Sequence, residues 1–207
     1  MRYDGWIRAG KRAPEKERRV AELGKLFLEL YRPELENKLC RRVVSSDHPP
    51  ALRALIQEMT RILKQHNAAG LAAPQIGVFI QLAILQFPRE KSVRILVNPE
   101  ITNMGGKDLL EAEGCLSLPP ADRSTARVWR SEIVHVRSGT LENPEAGALT
   151  VYRTEAARIV QHEIDHLRGI FFIDRCQEVG RNLVLQSYSR FLREQQPQGA
   201  EVVGVAG

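Results

Sequence analysis

The sequence predicts an α+β fold in which short antiparallel or mixed strands surround a central metal-binding HExxH helix, with further helices toward the N- and C-termini. Three observations carry this. Apolar residues recur at helical spacing near both ends of the 207-residue chain, and the middle breaks into short segments rich in β-branched residues. The strands also follow one another instead of alternating with helices. The length suits one catalytic domain with flanking pieces: a helical extension over 1–37, the catalytic domain over 38–180, and a C-terminal helix with a tail over 181–207.

Taken in order, Val20, Leu23, Phe27 and Leu30 mark one face of a helix that begins after Pro14 and that Pro33 stops. A second helix runs from Pro50. Leu52, Leu55, Ile56, Met59, Ile62 and Leu63 form its apolar stripe, and Ser46 and Asp47 are its start residues. Strands are expected at Val78 to Leu85, Val93 to Val97, Ile133 to Val136 and Leu149 to Tyr152, separated by Pro, Gly and Asn turns. A third helical segment spans about Thr154 to Leu167, with Gly169 placed for a left-handed cap. A last one, about Asn182 to Glu194, precedes Pro197 and a Gly/Ala/Val tail.

Composition narrows the function classes. With 43% hydrophobic and 27% charged residues the chain is globular, and no apolar run approaches the roughly 20 residues of a membrane span. Arg2, Arg8, Lys11 and Arg12 carry the charge of a transit peptide, but Glu15, Glu17 and Glu22 follow and no apolar secretory segment appears. A bacterial-type cytoplasmic location is the expectation, with an organellar origin left open. Cys40, Cys115 and Cys176 are an odd number, read as free thiols or ligands. The net charge of +5 and pI near 9.3 suit polyanionic surroundings such as a ribosome, but a solvated charged surface is the better account of them. No zinc-finger spacing, aromatic RNA-binding motif or phosphate loop is present, so sequence-specific nucleic-acid binding is not expected. Oligomeric state is not readable.

The chemistry concentrates in Gln161-His162-Glu163-Ile164-Asp165-His166. A spacing of four on a helix puts His162 and His166 on one face, so backbone geometry presets two metal ligands. Glu163, beside the first imidazole, stands where a carboxylate can reach a water on the metal without binding the metal itself. Val160, Ile164 and Leu167 flank the motif with apolar residues, and buried unpaired histidines would be costly without a metal. A hydrolytic site needs a third ligand and an open position. Phe172 stands where the metzincin pattern has its third histidine, which disfavours that class. His48, His66 and His135 lie in no comparable motif. The better candidate is Cys115, within Glu113-Gly114-Cys115-Leu116-Ser117-Leu118-Pro119. A lone cysteine is more often a small buried hydrophobe, but Gly114 allows close approach and Pro119 fixes the following chain.

Three segments in order, Gly70-Leu71-Ala72-Ala73-Pro74-Gln75, Glu113 to Pro119, and Gln161 to Gly169, resemble the motifs of the peptide deformylases. The resemblance covers about residues 38–175. It implies hydrolytic removal of the formyl group from nascent formyl-methionyl polypeptides, with formate as second product. It also implies one divalent metal ion, Fe(II) foremost, with zinc, nickel or cobalt as alternatives. Carried over residue by residue, it gives Cys115, His162 and His166 as ligands, Glu163 as proton shuttle, and Gln75 with the Leu116 backbone N–H as oxyanion donors. The substrate is expected to add as a strand along Gly70, Leu71 and Gly114, with Ile159, and with Leu118 beyond the cysteine motif, toward a methionine pocket.

Two departures stand out. Ala68 replaces a glycine common in the family's first motif, and Pro120-Ala121-Asp122-Arg123 stands where many members carry a Gly-containing or basic segment. Two rival readings follow: a deformylase-like hydrolase of another N-formyl or N-acyl compound, and a non-catalytic ribosome- or protein-binding member. A purely structural metal site requires neither Glu163 nor Gln75, which weighs against the second.

Overall fold

The computed structural model describes residues 28–87, 90, 92–119 and 124–195. Five strands form one antiparallel sheet in chain order: β1 (Gly70–Ala72), β2 (Leu82–Leu85), β3 (Arg94–Glu113), β4 (Ala126–Gly139) and β5 (Ala148–Arg153). Three α-helices accompany it: α1 (Pro49–Gln65), α2 (Thr154–Leu167) and α3 (Glu178–Glu194). The α+β class holds, and every strand pair is antiparallel, not mixed.

Side-chain alternation sorts the core into two faces. Leu71, Leu82 and Ile84 join the stripe of α1, whereas Ala72, Ala83 and Leu85 join Val160, Ile164 and Leu167 of α2. Strand β2 is therefore buried on both sides, which is why it reads as a continuous apolar run. Each fully buried Leu or Ile of this kind contributes about 1.5–3 kcal/mol by leaving water. A third cluster joins Cys115, Leu118, Phe171 and Phe172 to Tyr31 and to Val184 and Tyr188 of α3.

The expected short strands are corrected in one informative respect. The segment from Val93 to Val97 is the beginning of a 20-residue strand, and that from Ile133 to Val136 the middle of a 14-residue one. Asn98, Pro99 and Gly106 look like turn formers, but they are absorbed as irregularities between Val97 and Glu100 and between Gly105 and Asp108. Asn98 takes φ +50 there, and its side chain bonds the backbone of Val43 and Pro144. Strand β2 starts at Leu82 instead of Val78, and the three-residue β1 carried no strand pattern at all.

The helices differ from expectation mainly at their starts. Ser46 and Asp47 do not cap α1. His48 precedes Pro49 and Pro50 without a side-chain cap, and Asp47 accepts from Arg41 and from the Val44 N–H. Helix α3 begins four residues before Asn182, and its Gly180 lets it cross β4 closely, since a Cβ there would stand 3.2 Å from that of Ala126. Helix α2 has the expected limits, and Gly169 after it has φ +71. Residues 28–32 are not helical, so the N-terminal helix does not extend to Leu30. Its Val20, Leu23 and Phe27 lie outside the described residues, as do the tail and the segment 120–123.

Candidate metal centre

Helix α2 sets His162 and His166 one turn apart, with ring centroids separated by 4.8 Å. Cys115 enters from the turn after β3, which the Leu118 N–H closes on the Cys115 carbonyl at 3.0 Å. One ligand atom from each of the three residues lies within 4.8 Å of the others. Cys115 Sγ stands 3.2 Å from His166 Nε2, which is 3.2 Å from His162 Nε2. A cysteine sulfur and two imidazole nitrogens converging this closely could hold one divalent cation.

His162 is held from behind. Its Nδ1 meets Glu113 Oε2 at 3.0 Å, which directs Nε2 toward the other donors. Glu113, the last residue of β3, also accepts two bonds from Arg130 at 2.9 and 3.0 Å and one from Arg158 at 2.7 Å. Arg130 reaches on to Asp165, which also accepts from Arg175. Burial opposes the charge on Glu113, but His162 and Arg130 together hold its carboxyl well below the ordinary range.

Glu163 is treated differently. Its carboxyl is buried and Oε2 has no hydrogen-bond partner among the described residues. Burial raises its pKa to about 7, so the side chain can both take and release a proton near neutrality. Gly70 makes room for it, since a Cβ at that position would lie 2.3 Å from Glu163 Oε1.

Gln75 sits in a short 3-10 turn, Ala73–Ile76, with Pro74 at its start. Its Oε1 accepts the Ala72 N–H at 2.8 Å, which turns Nε2 toward Cys115 Sγ and Ser117 Oγ, both at 3.4 Å. A pocket of about 410 Å³ opens beside these groups, lined by Gly70, Gln75, Gly114, Cys115, Leu116, Ile159, His162 and Glu163 among others. His166 is buried and does not line this pocket. Leu71 and Leu118 have fully buried side chains in the first and third core clusters and do not line the pocket, so Leu71 offers only its backbone. Ala68 is a pocket wall. The left-handed residue of that turn is Asn67, with φ +50, one position before it, so the alanine methyl is accommodated without backbone strain.

Sequence reasoning quoted Glu113 and Asp165 inside their motifs without giving either a role, and it missed Arg130 and Arg158 altogether. Arg158 lies one turn before His162 on α2, a position that could have been found by helical spacing. Arg130 comes from β4 and meets Glu113 only through the strand pairing, for which no local signal exists.

A buried carboxyl able to exchange a proton near neutrality, set beside three converging metal donors and an open pocket, defines the class as a metal-dependent hydrolase. Comparison with known proteins gives the family. A model of the polypeptide deformylase family matches residues 28–182. Among curated proteins, the peptide deformylase of Thermodesulfovibrio yellowstonii is 41% identical over 144 residues, 66% of this chain and 81% of the relative. That of Halothermothrix orenii is 38% identical over 133 residues, covering 63% and 81%. Among solved structures, a peptide deformylase from Synechococcus elongatus in complex with actinonin superposes with a TM-score of 0.70 at 31% identity, over 79% of this chain and 86% of that one. One from Plasmodium falciparum gives 0.72 at 25% identity, over 84% and 100%. The chain belongs to the peptide deformylase family. Its reaction is the metal-dependent hydrolysis that removes the formyl group from nascent formyl-methionyl polypeptides.

Proposed function

We propose that Cys115, His162 and His166 hold one Fe(II) ion, that Glu163 is the proton shuttle, and that Gln75 and the Leu116 N–H stabilise the oxyanion. The observation that carries this reading is the convergence of the three donor atoms beside a buried, unpartnered Glu163 oxygen. When bound, the metal polarises the formyl carbonyl and acidifies a water molecule. Glu163 accepts the proton from the attacking water and delivers it to the departing amine, so one carboxyl serves as base and then as acid. As the carbonyl oxygen gains charge, the Gln75 amide and the Leu116 N–H donate to it, a type of donor whose loss costs about 10²–10³ in rate. Both residues line the pocket beside Cys115.

The substrate chain lies along Gly70, Leu71 and Gly114, adding a strand beside β1, which is an edge strand of the sheet among the described residues, and the methionine side chain enters toward Ile159. Iron is proposed from the family resemblance, because zinc, nickel or cobalt suit the same donors. The protein works in a bacterial-type cytoplasm at the ribosome. The net charge of +5, which suits polyanionic surroundings, supports that setting. The catalytic domain is assigned to 38–180, with 1–37 as an extension and 181–207 as a C-terminal helix and tail.

Anaerobic purification followed by metal analysis and formate release from formyl-Met-Ala-Ser tests these assignments. Iron in stoichiometric amount and loss of activity in air are expected. Cys115→Ser lowers metal occupancy, and unchanged content would remove Cys115 from the ligand set.

A further inference from the structure

The Ala72 N–H orients the Gln75 amide from within its own loop, but across to the Cys115 loop its Nε2 makes only two long contacts, each 3.4 Å, so the side chain alone does not fix the distance between the two loops. A third segment of chain supplies the missing constraint. The Glu29 N–H donates to the Gln75 carbonyl at 2.7 Å, and the Tyr31 N–H donates to the Ser117 carbonyl at 2.7 Å. Alternate amides of one extended stretch thus tie together two loops that are 42 residues apart in sequence, one carrying the amide and the other carrying Cys115 and Leu116.

That stretch is itself anchored. The Tyr188 hydroxyl of α3 donates to the Tyr31 carbonyl at 2.8 Å in a buried site. The Tyr31 ring meets Phe171 edge-on at 5.0 Å and Tyr188 at 6.1 Å, and its own hydroxyl donates to Glu36. Glu36 and Asp174 are both paired with Arg181 of α3. None of this touches the pocket, yet it connects α3 to the loop that carries Gln75 through two hydrogen bonds, Tyr188 to Tyr31 and Glu29 to Gln75.

We propose that residues 28–31, pinned by Tyr188, are a positioning brace that holds the Gln75 amide at the distance from Cys115 and Leu116 that the oxyanion requires. Glu29, Tyr31 and Tyr188 are positioning residues acting through Gln75. The proposal rests on the reading of Gln75 as an oxyanion donor. Its energetic basis is modest, because each brace bond contributes on the order of one hydrogen bond to the placement of a group whose effect on rate is much larger.

The test is a double-mutant cycle on the metal-loaded full chain, with kcat and KM measured on formyl-Met-Ala-Ser alongside metal content. Glu29→Pro removes the N–H that holds the Gln75 carbonyl, and Tyr188→Phe removes the hydroxyl while keeping the ring. Kcat falls about tenfold in the first and about threefold in the second, the scale of one hydrogen bond, with KM and metal stoichiometry unchanged. In a Gln75→Ala background both substitutions lose their effect on kcat. Equal losses with and without Gln75 would overturn the brace, because the segment would then act on the fold alone. If Glu29→Pro does not fold, the Tyr188→Phe arm decides by the same comparison. Full activity of Gln75→Ala by itself would instead sink the oxyanion reading, a distinguishable failure.

Discussion

Two carboxyl groups border the candidate metal centre and are treated in opposite ways. Glu113 is ringed by Arg130, Arg158 and His162, so its charge is fully compensated although it is buried. Glu163 is equally buried, yet its Oε2 meets no donor among the described residues, and burial raises its pKa to about 7. The first arrangement fixes geometry, because a compensated carboxylate is a rigid acceptor that holds one imidazole in one orientation. The second leaves a buried oxygen without a donor among the described residues, the setting that raises a carboxyl's pKa and suits a proton-transferring group. A hydrolytic site needs both kinds.

The largest expected effect separates the two sides. Glu163→Ala should lower kcat by at least about 10²–10⁴, the range for losing a positioned acid–base group, while metal content stays at the wild-type level. Formate release and elemental analysis check this, and an active variant would end the shuttle assignment. Removing Glu163 should not destabilise the fold, since its Oε2 makes no hydrogen bond among the described residues.

On the compensated side the loss should appear in stability. Arg130→Ala leaves Glu113 and Asp165 buried without their shared partner, and breaking a buried ion pair in this way costs about 3–5 kcal/mol. Denaturant unfolding measures it. A variant as stable as wild type would show that water replaces the guanidinium and that the compensation is dispensable.

How much of this contrast was legible beforehand follows from how each residue is positioned. His162, Glu163 and His166 are local to one helix, so spacing alone places them. Gln75 and Cys115 were recognised through their motifs, which the fold then brings to the same pocket. The ring around Glu113 depends on which residue of β4 faces Glu113 and neighbouring β3 residues, and register shifts near Asn98, Thr102 and Gly106 set that pairing. Turn-forming residues hidden inside strands gave no such warning. They also concealed that two expected short strands are parts of long ones. Tyr31 was obscured because its neighbour Leu30 continues the apolar spacing of the predicted N-terminal helix, whereas the amides of Glu29 and Tyr31 bond instead to the loops of Gln75 and Ser117.

A smaller effect probes the space that Glu163 occupies. Gly70→Ala would put a methyl 2.3 Å from Glu163 Oε1 and 2.7 Å from its Cδ. The obstructed group is the end of a flexible side chain, so it can swing aside at little cost to folding. Displacing a reacting carboxyl by about 1 Å can lower kcat by about 10²-fold, so activity should fall by up to that factor while the unfolding midpoint barely moves. An equal loss of stability would mean that Glu163 is held more firmly than its unpaired oxygen implies.

The smallest effect tests whether compensation matters because it is buried. Arg53 and Glu142 form an ion pair at 3.6 Å with side chains 53% and 74% exposed, whereas those of Arg130 and Glu113 are 3% and 5% exposed. Solvent and salt screen the outer pair, and ordering two long side chains offsets the attraction that remains. Arg53→Ala should therefore leave the unfolding midpoint where it is, at low and high salt alike. A shift comparable to that of Arg130→Ala would show that charge balance over the whole molecule, and not the dry setting of Glu113, accounts for the difference between the two sides of the site.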